Sequence, residues 1–446
     1  MARTGLQRHR GKLLGTGAVL GGLVVAGVVA AVAAKRWVRR QQQRLSEQHY
    51  VREQIKRRFT QTQQDALYTM YELVPVLALV LGKELDVEEL VETLKGKKLK
   101  RAGEDDEQGS GGHASAGEGS VSSTVARSKA ELWQELKMRS AVKLLAVVYT
   151  TCMLLLLTRL QLNILARREY LETAIRVAKG EEATRRDAAG WLGAVWEYGA
   201  AALGALGPRP AVTAVEPVDQ HEETRYVNEQ AFLSLSWWLL NRGWLQFKPL
   251  IERQVEQQFG TLSPRDTLSM EQFSARLSNT IHAVNRELFD SDSRALLLRA
   301  LLPDATEELH VLQQTLDEGS LRVIERDDSM LRELLQETCR CAESTASLIV
   351  LESLVNESFQ FVMQQLETKV TKKLRKPATD APEADGAADA PSQKFQVALY
   401  SVALKDCCQE MLKNGLVSMN NEYLQDLDAV PELDDLSASV YSNFGV

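Results

Sequence analysis

From Lys129 to Lys179 the chain runs 51 residues without a proline or a glycine. Nothing in that stretch forces a helix to end, and as one helix it would measure about 75 Å. Its middle, Leu144 to Leu157, is apolar apart from two threonines and a cysteine. This run is well short of the roughly 20 apolar residues that a membrane span requires, and Lys143 and Arg159 close it on both sides. A helix that is apolar all round is normally the buried centre of a bundle. The stretch therefore predicts a large helical body built around one long helix.

The rest of the chain agrees. Apolar residues at helical spacing predict helices over 35–82, from Asp86 to Lys95, and over 181–205, 222–241, 243–259, 269–288, 294–301, 304–316, 328–375 and 394–419. Pro75 should kink or restart the first of these. Ser269-x-x-Gln272 has the form of a capping box. Eleven prolines and 6% aromatic residues fit a helix-rich chain, no strand alternation persists, and no repeat is visible. The expected class is all-α, a single large helical bundle around a long central helix. Two stretches do not fit a packed body. Residues of about 101–124 are rich in Gly, Ser and acid, and those of about 376–393 in Pro, Ala and Asp. Such compositions bury no core and predict disordered inserts leaving one bundle.

Ahead of the bundle, Leu13 to Ala34 is 22 residues without a charge, bounded by Lys12 and by Lys35-Arg36. At helical rise it spans about 33 Å, enough to cross a hydrocarbon core. Ala31-Val32-Ala33 has the look of a signal cleavage site, but a signal's apolar region is shorter, roughly 7–15 residues. The expectation is an uncleaved transmembrane helix holding Leu13, Leu20, Leu23, Val28 and Ala34, with Lys12, Lys35, Arg36, Arg39 and Arg40 as its basic flank. That divides the chain into a short basic tail (1–12), an anchor (13–34) and a helical body (35–446).

Charge supports a membrane-proximal head. Residues 1–58 hold thirteen Lys and Arg against Glu47 and Glu53, a net of +11, whereas the whole chain is at −7. A basic head on an acidic body does not resemble a nucleic-acid binder, whose cations mark a folded face. The positive-inside rule is almost balanced, with four cations before the span and five after it. Five cysteines are too sparse for a secreted scaffold and place the body in a reducing compartment, the cytosol. Cys339-x-Cys341 and Cys407-Cys408 lack zinc-site spacing, and the six histidines are scattered. No Walker loop, dinucleotide fingerprint or nucleophile elbow is present. The sequence predicts no enzyme, no metal and no cofactor.

One stretch has the pattern of a binding surface. On a helix, Val125, Lys129, Leu132, Trp133, Leu136 and Ser140 project within an arc of about 100°. A tryptophan flanked by leucines and a lysine suits a partner's amphipathic helix, with the lysine available to an acidic residue. The same pattern suits bundle core. The residues alone leave both open.

The segment KAELWQELKMRSAVKLLAVVYTTCMLLLLTRLQLNIL, Lys129 to Leu165, resembles the signature of the peroxisomal biogenesis factor 3 (peroxin-3) family. The matching residues are Leu132, Trp133, Leu136, Lys137, Tyr149, Cys152, Met153, Leu154, Arg159, Gln161, Leu162 and Asn163. AFLSLSWWLLNRGW (Ala231 to Trp244) and GTLSPRD (Gly260 to Asp266) are similar to the fungal branch. The resemblance implies a single-pass peroxisomal membrane protein with a short lumenal tail and a cytosolic bundle. It implies docking of the soluble receptor that delivers peroxisomal membrane proteins, in a groove centred on Trp133 with Lys129 and Leu136 beside it; Leu132 joins them from the helical arc. The family's upstream apolar contact falls in a divergent loop here, so Val125 stands on its position alone. For fungal members it also implies a platform for inheritance and selective-autophagy factors. The competing expectations are a helical membrane tether or lipid-binding scaffold on another organelle, which predicts an internal lipid cavity, and import of the anchor into mitochondria.

Overall fold

A computed structural model describes residues 52–105, 128–178, 220–289, 294–374, 394–413, 415 and 419–443. The chain divides into two units, residues 1–61 and 62–446. Of the first, only 52–61 are described, and they are the opening turns of α1, Arg52–Glu84. The anchor at 13–34 with its flanks, the helix expected over 181–205, and Val125 lie outside the described residues.

The second unit holds the remainder of α1 and then α2 (Glu88–Asp105), α3 (Lys129–Ala178), α4 (Gln220–Ser234), α5 (Trp244–Phe259), α6 (Met270–Leu288) and α7 (Arg294–Leu301). After these come α8 (Ala305–Thr315), α9 (Glu318–Arg326), α10 (Ser329–Ala342), α11 (Thr345–Leu374), α12 (Val397–Met411), α13 (Glu422–Asp428) and α14 (Pro431–Ser442). Two strands, β1 (Thr267–Ser269) and β2 (Lys394–Gln396), pair antiparallel with Leu268 opposite Phe395. The class is all-α, as expected, with these two short strands besides the helices among the described residues.

The long helix is the spine. Every residue from Ser140 to Ile164 of α3 is buried, and α5, α11, α12 and α14 pack around it. By length and composition α1 and α3 could each cross a membrane, but the most apolar window of α3 is 100% buried inside the protein. It is core, as its bracketing charges predict. Met70, Leu73, Leu77 and Leu81 of α1 belong to the same core.

Burying α3 on all sides obliges its polar residues to find partners. Tyr149 Oη donates to Asn285 Oδ1 at 2.5 Å, and Gln161 Nε2 donates to the Phe232 carbonyl at 2.7 Å. The Arg159 guanidinium donates to Gln63 and Asp428 and lies 3.6 Å from Asp434. Asn163 Nδ2 donates to the Arg159 carbonyl at 2.7 Å. Between α4 and α5 the chain makes one helical turn, Ser236–Trp238, and a π turn, Leu239–Gly243. A Cβ at Gly243 would lie 2.0 Å from the Ala300 carbonyl oxygen, so only glycine permits this approach to α7.

Several element boundaries differ from the sequence reading. α1 passes through Pro75 without restarting, since proline removes one helical hydrogen bond and the buried Val74, Val76 and Leu77 hold the turn. The helix expected over 328–375 is two, and Ser344 Oγ accepts from Ser347 N at 3.2 Å to start α11. The stretch 394–419 opens with β2, and its helix stops at Met411. α9, α13 and α14 are additional. α2 continues to Asp105, so the first insert begins later than the expected 101; residues 106–127 and 375–393 are not described. The Ser269–Gln272 capping box is present in both directions.

Candidate partner-docking site

α3 starts on a reciprocal cap. Glu131 N donates to Ser128 Oγ at 3.2 Å, and Ser128 N donates to Glu131 Oε2 at 2.8 Å. The cap fixes the first turn, from which Lys129 and Trp133 project. Lys129 is exposed and Trp133 half-buried. Leu132 is 5% exposed and Leu136 fully covered.

The cover is α2. Val87, Leu90 and Leu94 join Leu132 and Leu136 in a small apolar cluster separate from the main core, with Val91, Trp133 and Val402 of α12 packed at its edge. Positions 87, 90, 91 and 94 recur at helical spacing, one apolar stripe. At the start of α2, Glu88 Oε2 accepts from Lys143 Nζ at 2.7 Å. That pair and the apolar stripe together hold the first turns of α2 on α3.

A second element clamps the same turns. Lys137, only 2% exposed, donates from Nζ to the carbonyls of Phe259 and Leu262, both at 2.6 Å. Phe259 ends α5 and Leu262 lies in the turn after it, where the helix dipole favours a cation. Gln134 Nε2 donates to the Gly260 carbonyl at 3.2 Å. Burial pulls the Lys137 ammonium below its ordinary value, while Glu256 and Asp266 work against that.

The structure thus divides the expected site residues. Lys129 and Trp133 reach the surface, whereas Leu132 and Leu136 form the floor under Trp133. The arc they share is wide enough for α2 to take its centre and leave the tryptophan at the edge. Val125 is not among the described residues. The sequence reading missed the α2 wall, although the 87, 90, 91, 94 spacing was visible. Of the twelve signature residues, eleven are buried and only Trp133 keeps surface. Arg159, Gln161 and Asn163 are core hydrogen-bonding residues. Among the described residues no group of three or more His, Cys, Asp or Glu is placed to hold a metal. At the surface this region leaves the half-buried Trp133 and Val91 and the exposed Lys129, while Val87, Leu90, Leu94, Leu132 and Leu136 are packed away.

Comparison with known proteins gives the family. The family model Peroxin-3 matches residues 4–118 and 104–443. Peroxisomal biogenesis factor 3 of Kluyveromyces lactis is 42% identical over 481 aligned residues, covering 100% of this chain and 99% of the relative. Its namesake in Saccharomyces cerevisiae is 41% identical over 450, covering 100% and 97%. The Homo sapiens protein of that name is 23% identical over 366, covering 81% and 77%. These relatives are named as biogenesis factors, not as enzymes. Matched by the family model along nearly its whole length and by full-length relatives above 40% identity, the chain belongs to the Peroxin-3 family of peroxisome biogenesis factors.

Proposed function

We propose that this chain is a docking receptor on the peroxisomal membrane for the soluble receptor that carries newly made peroxisomal membrane proteins. The observation that carries the reading is that Trp133, half-buried, alone among the signature residues keeps surface. A large aromatic left at the edge of an apolar cluster, on a helix start that is capped and clamped, is a preorganised anchor for a partner helix. Leu132 and Leu136 support it from below, and Lys129 faces an acidic residue of the partner. In this reading residues 13–34 cross the membrane once, 1–12 lie in the lumen and 35–446 in the cytosol, where the body also presents surfaces to inheritance and selective-autophagy factors. Among the described residues, a cavity of about 520 Å³ between α5 and α6 is lined by Gln254, Gln257, Asn279, His282, Arg286 and Glu287, a polar lining unsuited to acyl chains.

Two experiments test this. Trp133→Ala in the full-length chain in detergent should abolish or strongly weaken binding of the import receptor, with thermal unfolding little changed; unchanged affinity with a lowered Tm would falsify the docking assignment. Residues 1–44 fused to a soluble reporter should bring it to peroxisomes. A reporter left in the cytosol, or secreted after cleavage near Ala33, would refute the anchor.

A further inference from the structure

Where α5 and α6 meet the surface together, the sides they turn to each other are polar. Gln254, Gln257 and Gln258 recur at helical spacing on α5, and Asn279, His282 and Arg286 do so on α6. These two faces line the cavity of about 520 Å³, a size within the roughly 300–1,000 Å³ of small-molecule sites. Ala283 is the one apolar residue in the lining. Gln254, 4% exposed, is the most buried wall, and its Nε2 donates to Glu287 Oε1 at 2.5 Å. Glu287 also pairs with Arg253, so the single carboxylate of the lining is already neutralised. Arg276 Nη1 donates to the Gln258 carbonyl at 2.7 Å and ties the same two helices together. The side chains of Gln257, Asn279, His282 and Arg286 have no hydrogen-bond or ion-pair partner among the described residues.

A surface serving solubility alone intersperses acids with bases. Here one guanidinium, one imidazole and four carboxamides converge, with no unpaired acid in the lining. Carboxamides both donate and accept, as hydroxyl groups do, whereas the planar fork of Arg286 only donates and fits two oxygens of one phosphate. No Phe, Tyr or Trp lines the cleft for a nucleobase to stack on. We propose that this cleft binds a phosphorylated polyol, a sugar or inositol phosphate, with Arg286 and His282 on the phosphate and the amides of Gln257, Gln258 and Asn279 on the hydroxyls. The ties from Arg253 and Gln254 to Glu287 hold one wall in place beforehand, so little ordering is lost on binding. The inference does not rest on the docking reading, since none of these residues belongs to the Trp133 cluster.

Calorimetric titration of the full-length chain in detergent tests this, with inositol trisphosphate as the probe. The ester should bind in the micromolar range, inorganic phosphate at least about tenfold more weakly, and unphosphorylated inositol not measurably. Arg286→Lys, which keeps the charge and loses the fork, should weaken the ester about tenfold. Asn279→Ala should weaken it about fivefold by removing one hydrogen bond. Both side chains are exposed, so Tm should not move, and Trp133→Ala should bind the ester normally. Phosphatidylinositol bisphosphate added to the micelles identifies the source. Displacement of the soluble ester assigns the cleft to a lipid headgroup, no displacement to a free metabolite, and the site stands in both cases. Three results overturn the proposal: no binding by the unaltered chain at millimolar ester, inorganic phosphate bound as tightly as the ester (an adventitious ion only), or full affinity in the Arg286→Lys, Asn279→Ala double variant. Should a variant lower Tm, the unaltered chain decides: the ester must protect His282 from diethyl pyrocarbonate, read by peptide mass mapping, and no protection sinks the idea.

Discussion

Residues 129–136 and 140–164 belong to one unbroken helix but are held in opposite ways. The second stretch is enclosed on every side by α5, α11, α12 and α14, so a side chain lost there leaves a void that the whole body feels. The first is covered by α2, with Val402 of α12 and the end of α5 at its edges, and keeps Lys129 and Trp133 at the surface. Burial on all sides commits a helix to stability; incomplete burial leaves a face for a partner. The difference teaches that a signature running through both stretches mixes two kinds of constraint, and that only exposure separates them.

Substitutions break this comparison most sharply. Leu154→Ala, in the enclosed stretch, should cost about 2–5 kcal/mol of folding stability, read as a lowered Tm, with receptor affinity of the folded fraction unchanged. An affinity loss there matching that of Trp133→Ala would erase the distinction. Trp133→Ala should cost about 2–4 kcal/mol of binding, a loss of roughly 30- to 1,000-fold. Its Tm should move by no more than about 2–4 °C, because the indole sits at the edge of a small cluster.

A pH series sharpens the comparison from the core side. Glu72 is buried, and its Oε2 has no hydrogen-bond partner. Burial pushes its carboxyl from the ordinary 4.5 to about 7, with the Tyr68 hydrogen bond opposing. Between those values the folded state holds more protons than the unfolded one, so stability falls as pH rises from 4.5 to about 7. Burial also raises Asp65 to about 6 and Glu229 to about 7, so Glu72→Gln should lessen that slope, raising Tm at pH 8 and leaving it unchanged at pH 4.5. A variant whose slope equals that of the unaltered chain would show that Glu72 does not contribute to it. The smallest effect belongs to deletion of residues 378–392, whose Pro, Ala and Asp composition offers nothing to pack. Tm should stay within about 4 °C, as shortening a long loop changes little.

The same contrast explains what was legible in the sequence. The spine was readable because 51 residues without Pro or Gly, apolar in the middle, admit one structure. Pro75 misled because one missing donor is outweighed by tertiary packing that a local rule does not see. The break at Ser344 carries a helix-start serine, and α13 starts on Asn421, whose Oδ1 accepts from Leu424 N at 3.2 Å. Both signals were present but short. Trp133 was ambiguous in periodicity alone, since core and ledge residues share one spacing. Only the placement of α2, set by the Glu88–Lys143 pair far apart in sequence, decides which leucines go under it.

Lys137, reaching from α3 into the open end of α5, has a kinetic consequence. In the docking proposed above, a turn pinned to a neighbouring helix has few conformations left to lose, so the entropy of ordering falls on the incoming segment. Association is then set by how often that segment presents its helical form, and dissociation by how quickly it unzips from a surface that does not yield. Differences in affinity among partners should therefore be carried mainly by residence time.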